Sequence, residues 1–109
     1  MAFGMFTYDL PPVEKMEAYE EKARTLWTPA VLKQKGVKEL RAFRDPCHMT
    51  PQVMTWTEFD TLESWLEWAS SEAYADLVSD MRSAGCTNFS SQVWETSPLI
   101  PEPLKPVGA

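Results

Sequence analysis

Metal-binding and nucleophilic side chains are scarce in this sequence of 109 residues. It contains one histidine and two cysteines, without a C-x-x-C pair or the Cys/His spacing of a structural zinc site. It also lacks a glycine-rich phosphate loop, a Ser/His/Asp set and a carboxylate cluster with metal-ligand spacing. We therefore expect no metal site and no cofactor.

Positive charge is also in short supply. Ten basic residues stand against 16 acidic ones, which gives a formal net charge of -6. Nucleic-acid binding depends on neutralising phosphates, so we expect no nucleic-acid partner. No apolar run approaches the ~20 residues of a membrane span, and the N-terminus has no basic start typical of a signal peptide. With so few cysteines, we expect an unprocessed cytoplasmic protein without a membrane partner.

Apolar and aromatic side chains are, by contrast, plentiful. Hydrophobic residues make up 44% of the chain, including five Trp, five Phe and three Tyr. Because a typical domain has roughly 100 to 150 residues, we predict one domain over residues 1–96. Four prolines favour an extended, polyproline-like tail over residues 97–109. This tail either lies along a neighbouring subunit or frays.

Hydrophobic patterning predicts a strand and a bent helix in the first third of the chain. Residues 3–10 are aromatic and β-prone, and the two prolines that follow end the strand. Apolar residues then recur at intervals of three and four over residues 13–27, which is typical of an amphipathic helix. We expect Thr28 to cap a second short helix that begins at Pro29, and Gly36 to stop it in the left-handed conformation.

The middle of the chain predicts a hairpin and a second helix. Two β-like runs, residues 37–44 and 52–59, are joined by a loop with proline near each end. Thr61 then caps a helix with an apolar stripe over residues 62–84. A small break is expected within this helix at the Ser-Ser pair, residues 70–71.

With a last strand over residues 87–96, the order is strand, helix, strand, strand, helix, strand. This is the βαββαβ order of the ferredoxin-like α+β fold, in which one four-stranded antiparallel sheet carries both helices on one face. On the third strand Thr55 and Phe59 point one way, and Met54 and Trp56 point the other way. Both faces of the sheet therefore carry large apolar side chains. Burying an aromatic side chain stabilises a fold by roughly 1.5 to 3 kcal/mol. We therefore predict a homodimer in which two sheets pack face to face.

One stretch of the sequence resembles a known family. Residues 53–65 read VMTWTEFDTLESW, and this run is similar to the dimeric α/β-barrel superfamily, particularly the antibiotic biosynthesis monooxygenase family. There, a strand ends at an aromatic residue and a short polar turn starts the second helix. The resemblance in element order covers residues 1–96. It implies a dimeric α/β barrel, a small pocket between sheet and helices in each subunit, and oxygenation of polycyclic aromatic compounds without metal or prosthetic group.

The resemblance also assigns positions to particular roles. Several oxygenases of the family carry an Asn and a Trp on the third strand and a Tyr entering the second helix, and these places fall on Thr55, Phe59 and Trp65. The haem-degrading branch has a Trp on the second helix, matched by Trp68, and an iron-ligating His that falls near Val78. Since no histidine lies in this helix, the haem-degrading branch is the weaker match.

The candidate binding residues are aromatic or neutral polar. Trp65 and Trp68 are three apart on the predicted helix, so they form either the wall of a ligand site or part of the core. Tyr8, Thr55 and Asn88 either orient a ligand through hydrogen bonds or satisfy nearby backbone groups. The predicted substrate-binding set is Phe6, Tyr8, Thr55, Phe59, Trp65, Trp68 and Asn88.

Acid and base groups are few, and no catalytic residue is assigned. His48 is of the residue type most often used as a general base. It lies in the predicted hairpin loop, however, where solvent exposure is the simpler expectation, and Cys47 beside it is expected to be an ordinary thiol. Glu58 and Arg41 are expected to pair between strands inside the barrel.

Three hypotheses of function remain open. The first is a small homodimer resembling cofactor-independent monooxygenases, which oxidises a planar aromatic compound in an apolar pocket. The second is a non-catalytic ligand-binding or interaction module, and the third is an isomerase or cyclase that uses His48 or Glu58. A dry pocket bounded by Tyr8, Thr55 and Trp65 would favour the first, and a filled core the second. A buried carboxylate or an inward-facing histidine would favour the third.

Overall fold

A four-stranded antiparallel sheet organises the fold in a computed structural model that describes residues 1–108. The strands are β1 (Ala2–Asp9), β2 (Val37–Arg44), β3 (Val53–Phe59) and β4 (Thr87–Glu95). Each predicted strand boundary agrees with the structure to within one residue. The strands lie in the order β2-β3-β1-β4, which is the ferredoxin-like α+β arrangement that the sequence predicts.

The central strand β1 sets which side chains face the helices. It pairs with β3 so that Gly4 lies opposite Thr57 and Phe6 lies opposite Thr55. On its other side, Phe6 lies opposite Ser91 of β4. Because successive side chains alternate between the two faces of a sheet, these residues share one face. That face carries the helices, and the other face carries no element of residues 1–108.

The first helical region is continuous, which corrects one prediction. It consists of a 3₁₀ turn (Val13–Lys15), α1 (Met16–Lys22), a π-helical turn (Ala23–Trp27) and α2 (Thr28–Leu32). Thr28 has helical backbone angles, φ -61° and ψ -48°, and its side chain caps nothing. The predicted cap at Thr28 and helix start at Pro29 are therefore wrong. The wider π turn accommodates the proline ring, which would clash with the preceding turn of a regular α-helix.

Gly36 ends the helical region in the left-handed conformation, as predicted, with φ 84°. Its surroundings are also too close for a side chain. A Cβ here would lie 2.3 Å from Asp60 Oδ1 and 2.6 Å from Ser64 Oγ. The Gly36 carbonyl accepts a hydrogen bond from the backbone N–H of Asp60 at 2.7 Å. Glycine thus lets the turn before β2 pack against the segment after β3.

Two capped helices follow β3, as the sequence predicts. The Thr61 hydroxyl oxygen accepts from the backbone N–H of Ser64 at 3.1 Å, at the start of α3 (Leu62–Ala69). The Ser71 hydroxyl oxygen accepts from the backbone N–H of Tyr74 at 3.1 Å, at the start of α4 (Glu72–Ser83). The predicted break at residues 70–71 is thus real, because the second serine begins a new helix.

Asp80 of α4 ties the two helical regions together. One of its carboxylate oxygens accepts a hydrogen bond from Lys22 Nζ at 2.8 Å, and the other accepts from Trp27 Nε1 at 2.8 Å. The bond from Lys22, followed by that from Trp27, lowers the pKa of Asp80. The helices are thereby fixed above a buried cluster that consists of Tyr8, Tyr19, Trp27, Met81 and Cys86.

The tail contains no helix or strand over residues 97–108. Its apolar side chains Leu99, Leu104 and Val107 are exposed, so its packing along a neighbouring subunit stays a prediction. The last residue of the predicted tail, Ala109, lies outside the described residues. None of the helices in residues 1–108 has the length and apolar character needed to cross a membrane.

We expect Asp80→Asn to lower the free energy of unfolding by about 1 kcal/mol at neutral pH. It removes the charge of a partly exposed ion pair but leaves an amide oxygen that accepts from Trp27. Because the folded-state pKa of Asp80 is lowered, its charge stabilises the fold above the unfolded-state value. This contribution to stability is lost as the pH falls below the ordinary aspartate pKa of 3.8 and then through the lower pKa of Asp80 in the folded state. Urea unfolding over a pH series should therefore show the two proteins converging in acid.

The matched control is Asp76→Asn, which makes the same change one turn earlier on α4 at an exposed position. Asp76 forms no ion pair within residues 1–108. Its replacement should change stability by less than about 0.5 kcal/mol. Equal losses in the two variants, or a difference that persists in acid, would contradict the role assigned to Asp80.

Candidate functional site

A cavity of about 220 Å³ lies between the sheet and the helices. Its floor is the helix-facing side of the sheet, and its walls come from the first helical region, α3 and α4. Aromatic side chains account for much of the lining: Phe6, Tyr8, Tyr19, Trp27, Phe59, Trp65, Trp68 and Tyr74. The core of this small domain is therefore not completely filled.

Most of the predicted binding residues surround this one cavity. Strands β1 and β3 supply their side chains from below, and α3 supplies its two tryptophans from above. That they bind a ligand stays a prediction, but the structure brings them together. The six residues in the lining are Phe6, Tyr8, Thr55, Phe59, Trp65 and Trp68.

Asn88 lies outside the cavity lining. It adopts a left-handed backbone with φ 58° near the start of β4. Its side-chain amide donates to Asp9 Oδ2 at 3.2 Å and to Thr50 Oγ1 at 3.4 Å. These contacts match the structural alternative considered for this residue, since they connect β4 to the end of β1 and to the hairpin loop.

Two tyrosines of the cavity lining, Tyr8 and Tyr19, have paired hydroxyl groups. The Tyr8 and Tyr19 oxygens are 2.6 Å apart and buried, and either hydroxyl can be the donor. Burial raises the pKa of Tyr8, and the hydrogen bond with Tyr19 raises it further. Burial also raises the pKa of Tyr19. Both phenols are therefore neutral at physiological pH, and the hydrogen that their mutual bond does not use can be donated to a ligand oxygen.

Three further aromatic residues, which the sequence did not predict as binding residues, line the cavity: Tyr19, Trp27 and Tyr74. Tyr19 and Trp27 lie on the apolar face of the first helical region and resemble ordinary core residues in the sequence. Tyr74 lies at the start of α4, where its ring packs at 84° against Trp68 with centroids 5.4 Å apart. One signal was available, because a tyrosine on a buried helical face needs a hydrogen-bond partner.

The candidate acid and base residues lie away from the cavity. His48 and Cys47 are exposed in the loop between β2 and β3. Glu58 is on the sheet face opposite the helices, as its pairing with Phe3 requires. The guanidinium of Arg41 lies 5.3 Å from the ring centroid of Phe43, and the predicted Arg41–Glu58 ion pair does not form within residues 1–108. No group of three or more possible metal ligands occurs in that part of the chain.

The helix-free face of the sheet is uncovered, and it carries an apolar cluster beside the charged residues Arg41 and Glu58. The rings of Phe3 and Trp56 stack on it with centroids 5.1 Å apart. Trp94 of β4 is opposite Phe3 in the register and is 54% exposed. Met5 and Met54 follow on the same face. This surface, here called the open face, is the one that the sequence predicts to be sealed by a second copy.

Solved structures with the same fold include oxygenases. A Deinococcus radiodurans protein assigned as an antibiotic biosynthesis monooxygenase superposes with a TM-score of 0.73 and 12% identity, over 99% of this chain and 100% of that chain. HapK from Hahella chejuensis gives 0.70 and 11%, over 90% and 94%. SnoaB from Streptomyces nogalater, a cofactor-independent oxygenase, gives 0.60 and 11%, over 93% and 95%.

No protein-family model and no curated protein matches the sequence of this chain. At 11% to 12% identity, the superpositions show a shared fold. They confirm that the chain folds like the antibiotic biosynthesis monooxygenases that its sequence resembles.

Gly4 allows Trp65 to lie against the central strand. A Cβ at Gly4 would come 2.8 Å from Trp65 Nε1 and 2.9 Å from Cδ1, closer than side chains pack. The absence of a side chain on β1 thus determines where the indole sits and how much of the cavity stays open.

We expect Gly4→Ala to push the Trp65 indole from its place, because the new methyl group overlaps it. Such overpacking costs roughly 1 to 3 kcal/mol of stability, and the moved indole should weaken the binding of a bicyclic aromatic probe. Thermal unfolding, near-UV circular dichroism and probe titration measure these effects. The double variant Gly4→Ala with Trp65→Phe should regain much of the lost stability, since the smaller ring leaves room. A double variant no more stable than Gly4→Ala would refute this packing.

Proposed function

We propose that this protein is a cofactor-independent oxygenase that acts on a planar aromatic compound bound between its sheet and helices. The observation that carries the proposal is the cavity of about 220 Å³, lined by aromatic rings and neutral hydroxyl groups. An apolar cavity of roughly 150 Å³ holds benzene, so this one has room for about two fused rings. SnoaB, which has the same fold, is a cofactor-independent oxygenase.

The proposed chemistry needs little from the protein. The electron-rich anion of the substrate itself reacts with oxygen, and conversion of a ring CH₂ to a ketone consumes one O₂ and releases one water. The protein binds the substrate, orients it and excludes bulk water. The apolar rings supply the dry environment. The Tyr8–Tyr19 pair donates a hydrogen bond to the anionic oxygen, and its raised pKa values keep both phenols protonated for this purpose.

A non-catalytic ligand-binding module is the second candidate, because the same cavity would serve it. Turnover is what separates it from an oxygenase. The isomerase or cyclase hypothesis has less support, since it needs an acid or base in the cavity. His48 is exposed in a loop, and Glu58 is on the opposite face of the sheet.

We also propose that the protein acts as a homodimer sealed through the open face. The Phe3–Trp56 stack, two methionines and the half-exposed Trp94 would otherwise stay in contact with water. Burying each large apolar side chain stabilises by roughly 1.5 to 3 kcal/mol, so covering this face gives several kcal/mol per chain. Packing two sheets face to face is a common way to bury such surfaces.

We also propose a cytoplasmic location, because it fits the state of the two cysteines. Both are free thiols, one exposed at Cys47 and one buried at Cys86. Burial raises the pKa of Cys86 to about 11, which makes it an unreactive core residue. Free thiols are typical of reducing compartments.

The oxygenase proposal predicts oxygen uptake matched by product with hydroquinone-like compounds of one or two fused rings. We expect Tyr8→Phe and Tyr19→Phe each to lower kcat about 100-fold, since each removes a hydroxyl that stabilises the developing anion. Trp65→Ala should mainly raise KM, because it removes one wall of the cavity. An oxygen electrode with product chromatography measures all three.

His48→Ala serves as the control for this experiment and should leave oxygen uptake unchanged. Loss of activity in that variant would instead favour acid–base chemistry. Tight binding of the test compounds without oxygen uptake would overturn the oxygenase proposal in favour of the ligand-binding module.

The dimer proposal predicts that Trp56→Glu produces a monomer, because it places a charge at the centre of the open face. Sedimentation velocity at micromolar concentration should show the mass of two chains for the wild type and of one for the variant. Leu66→Glu is the matched control, since Leu66 is a large side chain on α3 that is 49% exposed on the helical layer. A monomeric wild type, or a dimer that survives Trp56→Glu, would rule out this interface.

A further inference from the structure

A second, open space adjoins the cavity between α4 and the edge strand β4. This groove has a volume of about 390 Å³ and shares Phe6, Tyr74 and Ser91 with the cavity lining. The rings of Phe6 and Tyr74 meet at 81° with centroids 6.3 Å apart. Because the two spaces have walls in common, they lie side by side in the fold.

The groove differs from the cavity in its chemistry. The hydroxyl group of Ser79 lies along it, and Arg82 supplies a cation, whereas no lysine or arginine lines the cavity. The two adjoining spaces therefore suit a ligand with an apolar end and a polar or anionic end.

Arg82 is held in place but is not neutralised. Its guanidinium lies 5.2 Å from the ring centroid of Phe89, within the range of a cation–π contact. It forms no ion pair within residues 1–108, and the neighbouring carboxylate of Asp80 is occupied by Lys22 and Trp27. In a chain with a net charge of -6, an arginine beside a groove without a carboxylate partner is available to an external anion.

We propose that the groove binds a carboxylate group of the substrate through Arg82, so that the ligand is a planar aromatic acid. This inference rests on the proposed role of the cavity, which holds the ring system. The guanidinium donates two parallel hydrogen bonds to a carboxylate, and its stacking on Phe89 orients it. Ser79 adds a hydroxyl donor at the same rim. Arg82 is thus the residue that determines specificity for an acidic substituent.

The test compares two bicyclic probes that differ in this substituent, 2-naphthol and 2-naphthoate, by calorimetric titration at neutral pH. The full-length protein should bind 2-naphthoate about tenfold more tightly than 2-naphthol, as expected for a charge-assisted hydrogen bond. Arg82→Gln should abolish this preference while changing the dissociation constant of 2-naphthol less than about twofold. Arg82→Lys should retain part of it, since it keeps the charge but not the paired donors.

Arg44→Gln is the matched control, because it removes one positive charge at the end of β2, the opposite edge of the sheet. It should preserve the preference for 2-naphthoate, whereas a general effect of net charge would lower it as much as Arg82→Gln does. If the wild type binds 2-naphthol more tightly than 2-naphthoate, or if Arg82→Gln keeps the tenfold ratio, the role of Arg82 is refuted and the cavity proposal stands. If neither probe binds, the cavity proposal fails and this inference fails with it.

Discussion

The helix-facing side of β1 runs from small to large residues, and this gradient constrains everything packed above it. Ala2 and Gly4 are buried at one end, and Phe6 and Tyr8 follow. The small end admits the Trp65 indole to within contact of the backbone. The large end meets Tyr19 through a 2.6 Å hydrogen bond. The helices are therefore supported at both ends of the strand, and the space between these supports is the cavity.

The lining of the cavity contains no charged side chain. Asp80 contacts the buried cluster through Trp27, and its two oxygens accept hydrogen bonds from Lys22 and Trp27. The polar groups that remain in the lining are hydroxyls and indole N–H groups, which suit a neutral or delocalised ligand. A full charge appears only at the adjoining groove, where Arg82 stacks on Phe89. The proposed site for the ring system and the proposed site for the anion are thus adjacent but chemically distinct.

Features set by local sequence were predictable, and features set by tertiary contacts were not. Strand bounds, the Thr61 cap and the Gly36 stop follow from alternation, side-chain acceptors and backbone freedom, all of which act within a few residues. The continuous helix through Thr28 was missed because the π turn that accommodates Pro29 has no recognisable local signature. Six of the seven proposed binding residues surround one space, because strand alternation puts four of them on one face of the sheet and α3 places its two tryptophans above that face. Asn88 does not, because its left-handed backbone turns its amide toward Asp9 and Thr50.

The two faces of the sheet are linked by the same alternation, and this connects the proposed dimer to the proposed chemistry. Each residue of β1 that points into the helical layer is followed by one that points to the open face, so Tyr8 and Phe6 cannot be placed without also placing Met5 and Phe3. Only one layer of backbone separates the cavity from that face. A second sheet packed over Phe3 and Trp56 would keep water from both sides of this layer. For a reaction that depends on a desolvated anion, sealing the open face is thus part of making the cavity dry, as well as a source of stability.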